Sequence, residues 1–239
     1  MTPATVKAQA VPTDAEIQQQ YKADAGLYQA RQTRDVTLVT VLNQAAANAL
    51  AANPIFSILQ PQLVPHIELP MDAPTPVNGA GVDLGLKLRA FPVPGKIALY
   101  LEDKNAPNFG TSVGDTLGLE IIETATGKSF FYVPGCAQVD APLAARLRNA
   151  ALVFFDGTLF EEEEMIKQGL MGKTGSRMGH VNMSGDDGSL AAFAPLGVKR
   201  KIYVHINNSN PVLDEHSSAY ATVQAAGWEV GEDGMEVSL

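Results

Sequence analysis

"KIYVHINNSNP" (residues 201–211) sets Ile202, Val204 and Ile206 around His205, then breaks into three asparagines, a serine and a proline. A β-branched run followed by Asn-rich punctuation is a strand that stops in a tight, hydrogen-bonded loop. "ALVFFD" (151–156) has the same texture upstream. Both runs are apolar on successive residues, hence on both faces, as buried strands must be when helices cover the sheet. Helical segments surround them: "DAPLAARLRNA" (140–150), "EEEEMIKQGL" (161–170), "SGDDGSLAAFAPLG" (184–197) and "SSAYATVQAAG" (217–227). The second half of the chain therefore alternates helix and strand.

The first half is richer in strands. "GVDLGLKLRAFPV" (81–93) and "GKIALYLED" (95–103) alternate apolar and polar residues and predict half-exposed antiparallel strands. "DTLGLEIIETATGKSFFYVPG" (115–135) predicts a hairpin, with Thr126, Gly127 and Lys128 at the turn. Further upstream, residues 1–13 read as a loose leader, Asp14 opens a helix that runs to Gln32, "DVTLVTVL" (35–42) reads as a strand, and a helix follows until Pro54. Five prolines between Gln60 and Asn78 mark a connection inside one domain, taken as 14–239. Together these segments predict an α/β fold, a layered sandwich of sheets with helices outside.

Composition narrows the function classes. With 239 residues, 46% of them hydrophobic and 18% charged, the chain can bury a substantial core. A net charge of -9 and a pI near 4.9 argue against a nucleic-acid partner, since phosphates would be repelled. The short basic run Lys199–Lys201 reads as a solvated turn. Cys136 is the only cysteine, which excludes an intramolecular disulfide and a cysteine-built zinc site. The N-terminus has no apolar signal-like segment, and the longest apolar run, "AALVFF", is too short to cross a bilayer. A soluble cytoplasmic protein without a membrane partner is expected.

Chemistry is expected where loops leave strand ends, because such loops converge without disrupting the sheet. Cys136, Asp156 and His205 occupy three of these loops, and "RMGHVNMSGDDGS" (177–189) adds His180 with Asp186 and Asp187. Each has a plainer reading. Thr158 after Asp156 suits a cap for the acidic turn Glu161–Glu164, and Asp186 to Ser189 suit a helix start. Cys136 suits a small buried position, and His66 and His216 suit turns. Neutral imidazoles with a carboxylate are what zinc or ferrous iron binds, so His180, Asp156 and His205 are candidates for a mononuclear site. No HExxH, Walker loop, GxSxG or nicotinamide fingerprint is present.

"VPGK" (93–96), "LEDKN" (101–105), "YVPGCA" (132–137), "FFDGT" (154–158), "GHVNMSGDDGS" (179–189), "VHINNSNPVLDEHS" (204–217) and "GWEVGEDGMEVSL" (227–239) together resemble the pyrroloquinoline quinone (PQQ) biosynthesis protein B family. The resemblance runs from about Pro94 to the C-terminus. It implies a metallo-β-lactamase-like αβ/βα sandwich of two mixed sheets with outer helices, here beginning inside the usual fold without its first strand or strands. The implied role is in making the redox cofactor PQQ, as an iron-dependent hydroxylase of the tyrosine ring of a Glu-Tyr precursor. The alternatives are a metal-free carrier of PQQ or its precursor toward the periplasm, or a degenerate relative without catalysis.

Residue by residue, the resemblance makes His205 the late histidine ligand of the metal. It makes His180 a proton donor or substrate contact and groups it with Asp156 as catalytic. Asn207, Asn208 and Ser184 are implied as substrate-binding, with the asparagines also holding the His205 loop. Cys136 stands where hydrolytic relatives carry a bridging aspartate, which argues against a two-metal hydrolase. The family's Asp-x-Asp-His signature is missing, and Asp24 is the nearest carboxylate to serve as a second ligand, so the ligand set for Fe(II) or zinc is incomplete. Expected partners are the small-molecule or dipeptide precursor, other proteins of the PQQ pathway and a second copy in a homo-oligomer.

Overall fold

Seven strands pair in chain order into one mixed sheet, seen in a computed structural model that describes residues 69–79, 82–97 and 101–239. They are β1 (Thr75–Gly79), β2 (Val82–Pro92), β3 (Leu117–Glu123), β4 (Ser129–Val133), β5 (Leu152–Asp156), β6 (Arg200–Val204) and β7 (Glu229–Val230). The expected leader, the helices from Asp14 and Asn43, the strand at 35–42, Asp24 and His66 all lie outside the described residues. All described residues fall within one compact unit, Thr40–Leu239.

The sheet changes character halfway across. β1 to β4 pair antiparallel, whereas β4, β5, β6 and β7 run parallel. Antiparallel neighbours can be joined by a short turn, and residues 124–128 make the predicted hairpin, closed by the Gly127 N–H donating to the Glu123 carbonyl. Parallel neighbours need long crossovers, and the helices lie in these. They are α1 (Ala141–Leu147), α2 (Glu164–Lys167), α3 (Gly175–Met178), α4 (Ser189–Phe193) and α5 (Ser218–Ala225). α1 begins where Asp140 accepts the Leu143 N–H at 2.9 Å, with a proline in the first turn. α5 begins in the same way on Ser217.

The core confirms the two-faced reading of β5 and β6. Leu152, Val153 and Phe155 are buried, as are Ile202 and Tyr203. Trp228 stacks on Tyr203 with ring centres 4.0 Å apart and meets Phe155 and Phe193 edge to face. Burial drives the Tyr203 phenol pKa up, against the hydrogen bond it shares with Ser189 at 2.8 Å. The hydroxyl is a neutral structural group.

Several expectations need correction. "GKIALYLED" forms no strand in its described part: Gly95 to Ile97 and Glu102 to Asp103 are loop, tied down by the Lys96 N–H to Thr116 Oγ1 and the Ile97 N–H to Thr111 Oγ1. Its alternation was real, but the neighbouring place beside β2 is taken by β3. The acidic helix shrinks to the four residues of α2, and Thr158 does not cap it. Gly188 precedes α4 without a side-chain cap, so Asp186 and Asp187 play no capping part. Arg200 and Lys201 belong to β6, and Arg200 makes a bidentate pair with Glu229 of β7.

Parallel direction is what matters for the site. β4, β5 and β6 end side by side, with Val133 opposite Phe155 and Asp156 opposite Val204. The residues that follow each strand are thus delivered to one edge. Gly157 keeps them close: its N–H donates to the Val204 carbonyl at 2.7 Å, and a Cβ there would lie 3.0 Å from Val204 O, Tyr203 Cβ and Ile206 Cγ1. Gly157→Ala should therefore force the ends of β5 and β6 apart and cost about 1–3 kcal/mol by overpacking. Chemical denaturation checks this, and an unchanged midpoint would contradict the close packing.

Candidate metal centre

Asp156, the last residue of β5, has no solvent exposure. A buried carboxylate must have its lone pairs filled. Oδ1 accepts the Thr158 N–H at 3.1 Å and the Thr158 hydroxyl at 2.6 Å. Oδ2 accepts the Cys136 N–H at 2.9 Å and meets His180 Nδ1 at 2.7 Å. Burial opposes the charged form, but the bonds from His180 and Thr158, with the His205 ring close by, outweigh it and hold the carboxyl below its ordinary value. Asp156 is thus an anion whose four places are already taken by the protein.

His205 arrives from the far side. It follows β6 rather than belonging to it, with φ at +55°, in the left-handed region. That region is uncommon for a side chain with a Cβ and costs about 1–3 kcal/mol, so the surrounding loop must impose it. Asn210, buried, does so. Its amide donates to the Gly157 carbonyl at 3.0 Å, its own carbonyl accepts the Val212 N–H, and its backbone N–H donates to Asn207 O. His205 Nδ1 then lies 2.9 Å from Thr158 Oγ1 and 3.8 Å from Asp156 Oδ1. The nearby Asp156 carboxylate raises the His205 pKa above its ordinary value despite partial burial.

His180 is placed by the turn before it. Thr174 caps α3 by accepting the Arg177 N–H, and Gly179 ends it in a left-handed conformation, φ +91°. The Val181 N–H then donates to the Cys136 carbonyl, and Met183 and Ser184 bond along the Leu159–Phe160 backbone. His180 Nδ1 reaches Asp156 and lies 3.0 Å from Thr158 Oγ1. The two imidazoles stack, with ring centres 5.4 Å apart and planes 23° from parallel.

The three expected residues therefore meet: one donor atom each from Asp156, His180 and His205 lies within 4.8 Å of the others. The two imidazoles, with Asp156 behind them, are donors that suit a zinc or ferrous ion. Both rings are anchored through Nδ1, and neither Nε2 bonds to a described residue, which is how metal-binding histidines are held by a carboxylate behind them. The His205 side chain is 56% exposed and that of His180 21%, so incoming groups can reach them.

The other expected residues sit differently. The Ser184 hydroxyl is spent on the Phe160 carbonyl at 2.7 Å. Asn207 bonds to Ser209 Oγ and contacts Met165 Sδ, and Asn208 is exposed. The imidazole of His205 is oriented by Thr158 and Asp156, while the asparagines hold the loop backbone. Cys136 contributes its N–H to Asp156, and burial pushes its thiol up to about 12, so the sulfur stays a neutral thiol. His216 is exposed, as a turn histidine should be.

Sequence reasoning missed Thr158 as the hub, Asn210 as the clasp, and a charged latch beside His180. In that latch Glu102, with 6% side-chain exposure, takes Lys96 and a bidentate Arg177 at 2.9 and 3.0 Å, and both cations lie against the Phe109 ring. Arg177 belongs to α3, so the latch ties loop 101–111 to the turn that carries His180. "LEDKN" held the only signal, a charged cluster within an otherwise apolar run.

Two outcomes follow from this geometry. Glu102→Gln leaves two cations facing each other around one ring and should destabilise the fold by about 3 kcal/mol, read as a lower thermal midpoint. Proton NMR of the metal-free chain should show His205 titrating above 6.5, and Asp156→Asn should bring it down. The sign is fixed by linkage: the His205 contribution is full below 6.5 and lost as pH rises through its folded value. That of Asp156 is full above 3.8 and lost as pH falls through its folded value.

Comparison with known proteins adds to the geometry. A family profile described as "Beta-lactamase superfamily domain" matches residues 23–206. "Coenzyme PQQ synthesis protein B" of Xanthomonas oryzae pv. oryzae is 42% identical over 215 residues, covering 90% of this chain and 69% of its own length. The protein of the same name from Rhodopseudomonas palustris is 46% identical over 191 residues, 80% of this chain and 62% of its own. Among solved structures, Zn(2+)-bound PqqB from Methylobacterium extorquens superposes with a TM-score of 0.72 at 35% identity, over 90% of this chain and 69% of that one.

Proposed function

Because this chain belongs to the coenzyme PQQ synthesis protein B family, within the beta-lactamase superfamily, we propose that it acts in PQQ biosynthesis as a metal-dependent hydroxylase of the tyrosine ring of a Glu-Tyr precursor. The observation that carries this reading is the gathering of His180 and His205 around one buried, fully hydrogen-bonded Asp156, His180 bonded to it directly and His205 through Thr158. A solved relative of the same name holds zinc, and imidazole nitrogen suits both zinc and ferrous iron.

His205 would help hold the ion, with Asp156 as the anion that orients the imidazoles. The ion, iron(II) in this reading, supplies the dioxygen chemistry that no side chain can. The protein's own residues do the rest. His180, less exposed than His205 and bonded to an ionised carboxylate, can accept the phenol proton on its free nitrogen, and Asp156 stabilises the imidazolium that results. Asn208, exposed at the loop surface, is left to meet the polar backbone of a dipeptide, and Ser184 and Asn207 shape the loops around it. Cys136, neutral, buried and bonded through its sulfur to the Gln138 carbonyl, offers no bridging ligand, which favours one ion over two.

The test is iron content of the purified chain and ring hydroxylation of Glu-Tyr, with ferrous iron in excess as electron source and air as oxidant. His205→Ala should lower both iron binding and product by roughly 100-fold or more. Absence of iron and product, with PQQ still bound, would replace this reading by the metal-free carrier.

A further inference from the structure

The protons at this site can be counted. Asp156 is ionised and can only accept. Thr158 Oγ1 lies 2.6 Å from Asp156 Oδ1, a contact that two oxygens make only through a proton, and the hydroxyl has one to give. Its other acceptor, the His205 carbonyl, is uncharged and farther away at 3.2 Å. The proton therefore goes to the carboxylate. Two lone pairs remain on Oγ1, facing His180 Nδ1 at 3.0 Å and His205 Nδ1 at 2.9 Å. Either contact is a hydrogen bond only if Nδ1 carries the hydrogen.

The two rings are not held equally. His180 Nδ1 also meets Asp156 Oδ2 at 2.7 Å, so the carboxylate alone requires a hydrogen there. His205 Nδ1 is 3.8 Å from the nearer carboxylate oxygen, beyond hydrogen-bond reach. Among the described residues only Thr158 specifies its proton.

We infer that the Thr158 hydroxyl is a positioning group that fixes His205 as its Nδ1–H tautomer, freeing Nε2 as a lone pair, while Asp156 does the same for His180. A threonine in the loop after β5 thereby converts the charge of Asp156 into the correct face of a histidine that Asp156 does not touch. The inference rests on the metal-site reading only for its consequence in affinity. The tautomer itself is a property of the metal-free chain.

Nitrogen-15 NMR of the imidazoles in the full metal-free chain, above the titration of His205, tests it directly. Wild type should show both rings protonated at Nδ1. Thr158→Val should return His205 toward protonation at Nε2 and leave His180 unchanged, and Thr158→Ser should restore the wild-type pattern. Zinc affinity should fall about 10- to 100-fold in Thr158→Val and stay within a few-fold of wild type in Thr158→Ser. His205 protonated at Nε2 in wild type overturns the inference, and this spectrum decides even if the valine variant does not fold. A valine variant with unaltered tautomers also overturns it. A wild type that binds no zinc but shows the expected tautomers would remove the metal reading and leave the inference standing.

Discussion

A buried anion with every lone pair occupied is the constraint on which this site depends. Asp156 takes donors from three separate segments: Cys136 after β4, Thr158 two residues on, and His180 beyond α3. Removing water from a carboxylate costs several kcal/mol, and only hydrogen bonds of this number and quality offset it. Each donor is therefore pulled to a defined distance, and with it the loop that carries it. The site is assembled by the need to solvate one charge.

The sheet makes that assembly possible. Parallel pairing of β4, β5 and β6 points their C-terminal ends the same way, and the long connections that parallel strands require leave room for α1 to α5. Gly157 allows the backbone after β5 to lie against the end of β6, and Asn210 fastens the following loop to it. The left-handed His205 is the strained element that these contacts hold in place. Away from the strand ends, the latch of Glu102, Lys96 and Arg177 secures the turn before His180. No helix of the described residues is long and apolar enough to cross a membrane.

In the function proposed, the two histidines divide the labour. His180 is the better buried and bonds the carboxylate directly, as suits a group that handles protons. His205 is the more exposed and is held through a hydroxyl, as suits a group that faces an incoming ion or ligand. Cys136, although its backbone bonds to Asp156 and Val181, is confined to a structural part by burial.

The sequence by itself determined the α/β class, the hairpin at 115–135, the two buried strands and the identity of Asp156, His180 and His205, because periodicity and residue chemistry are local and survive in one dimension. It misread "GKIALYLED", where alternation matched a strand but β3 already occupied the edge of β2. It also offered Thr158 as a helix cap, since a threonine before acidic residues looks the same whether its hydroxyl meets a backbone N–H or a carboxylate. Only the tertiary structure decided that the hydroxyl turns inward to Asp156, that Asn210 clasps the loop, and that Glu102 gathers two cations around Phe109. Those roles depend on partners tens of residues away along the chain, brought together when strands align in parallel and a buried charge must be satisfied.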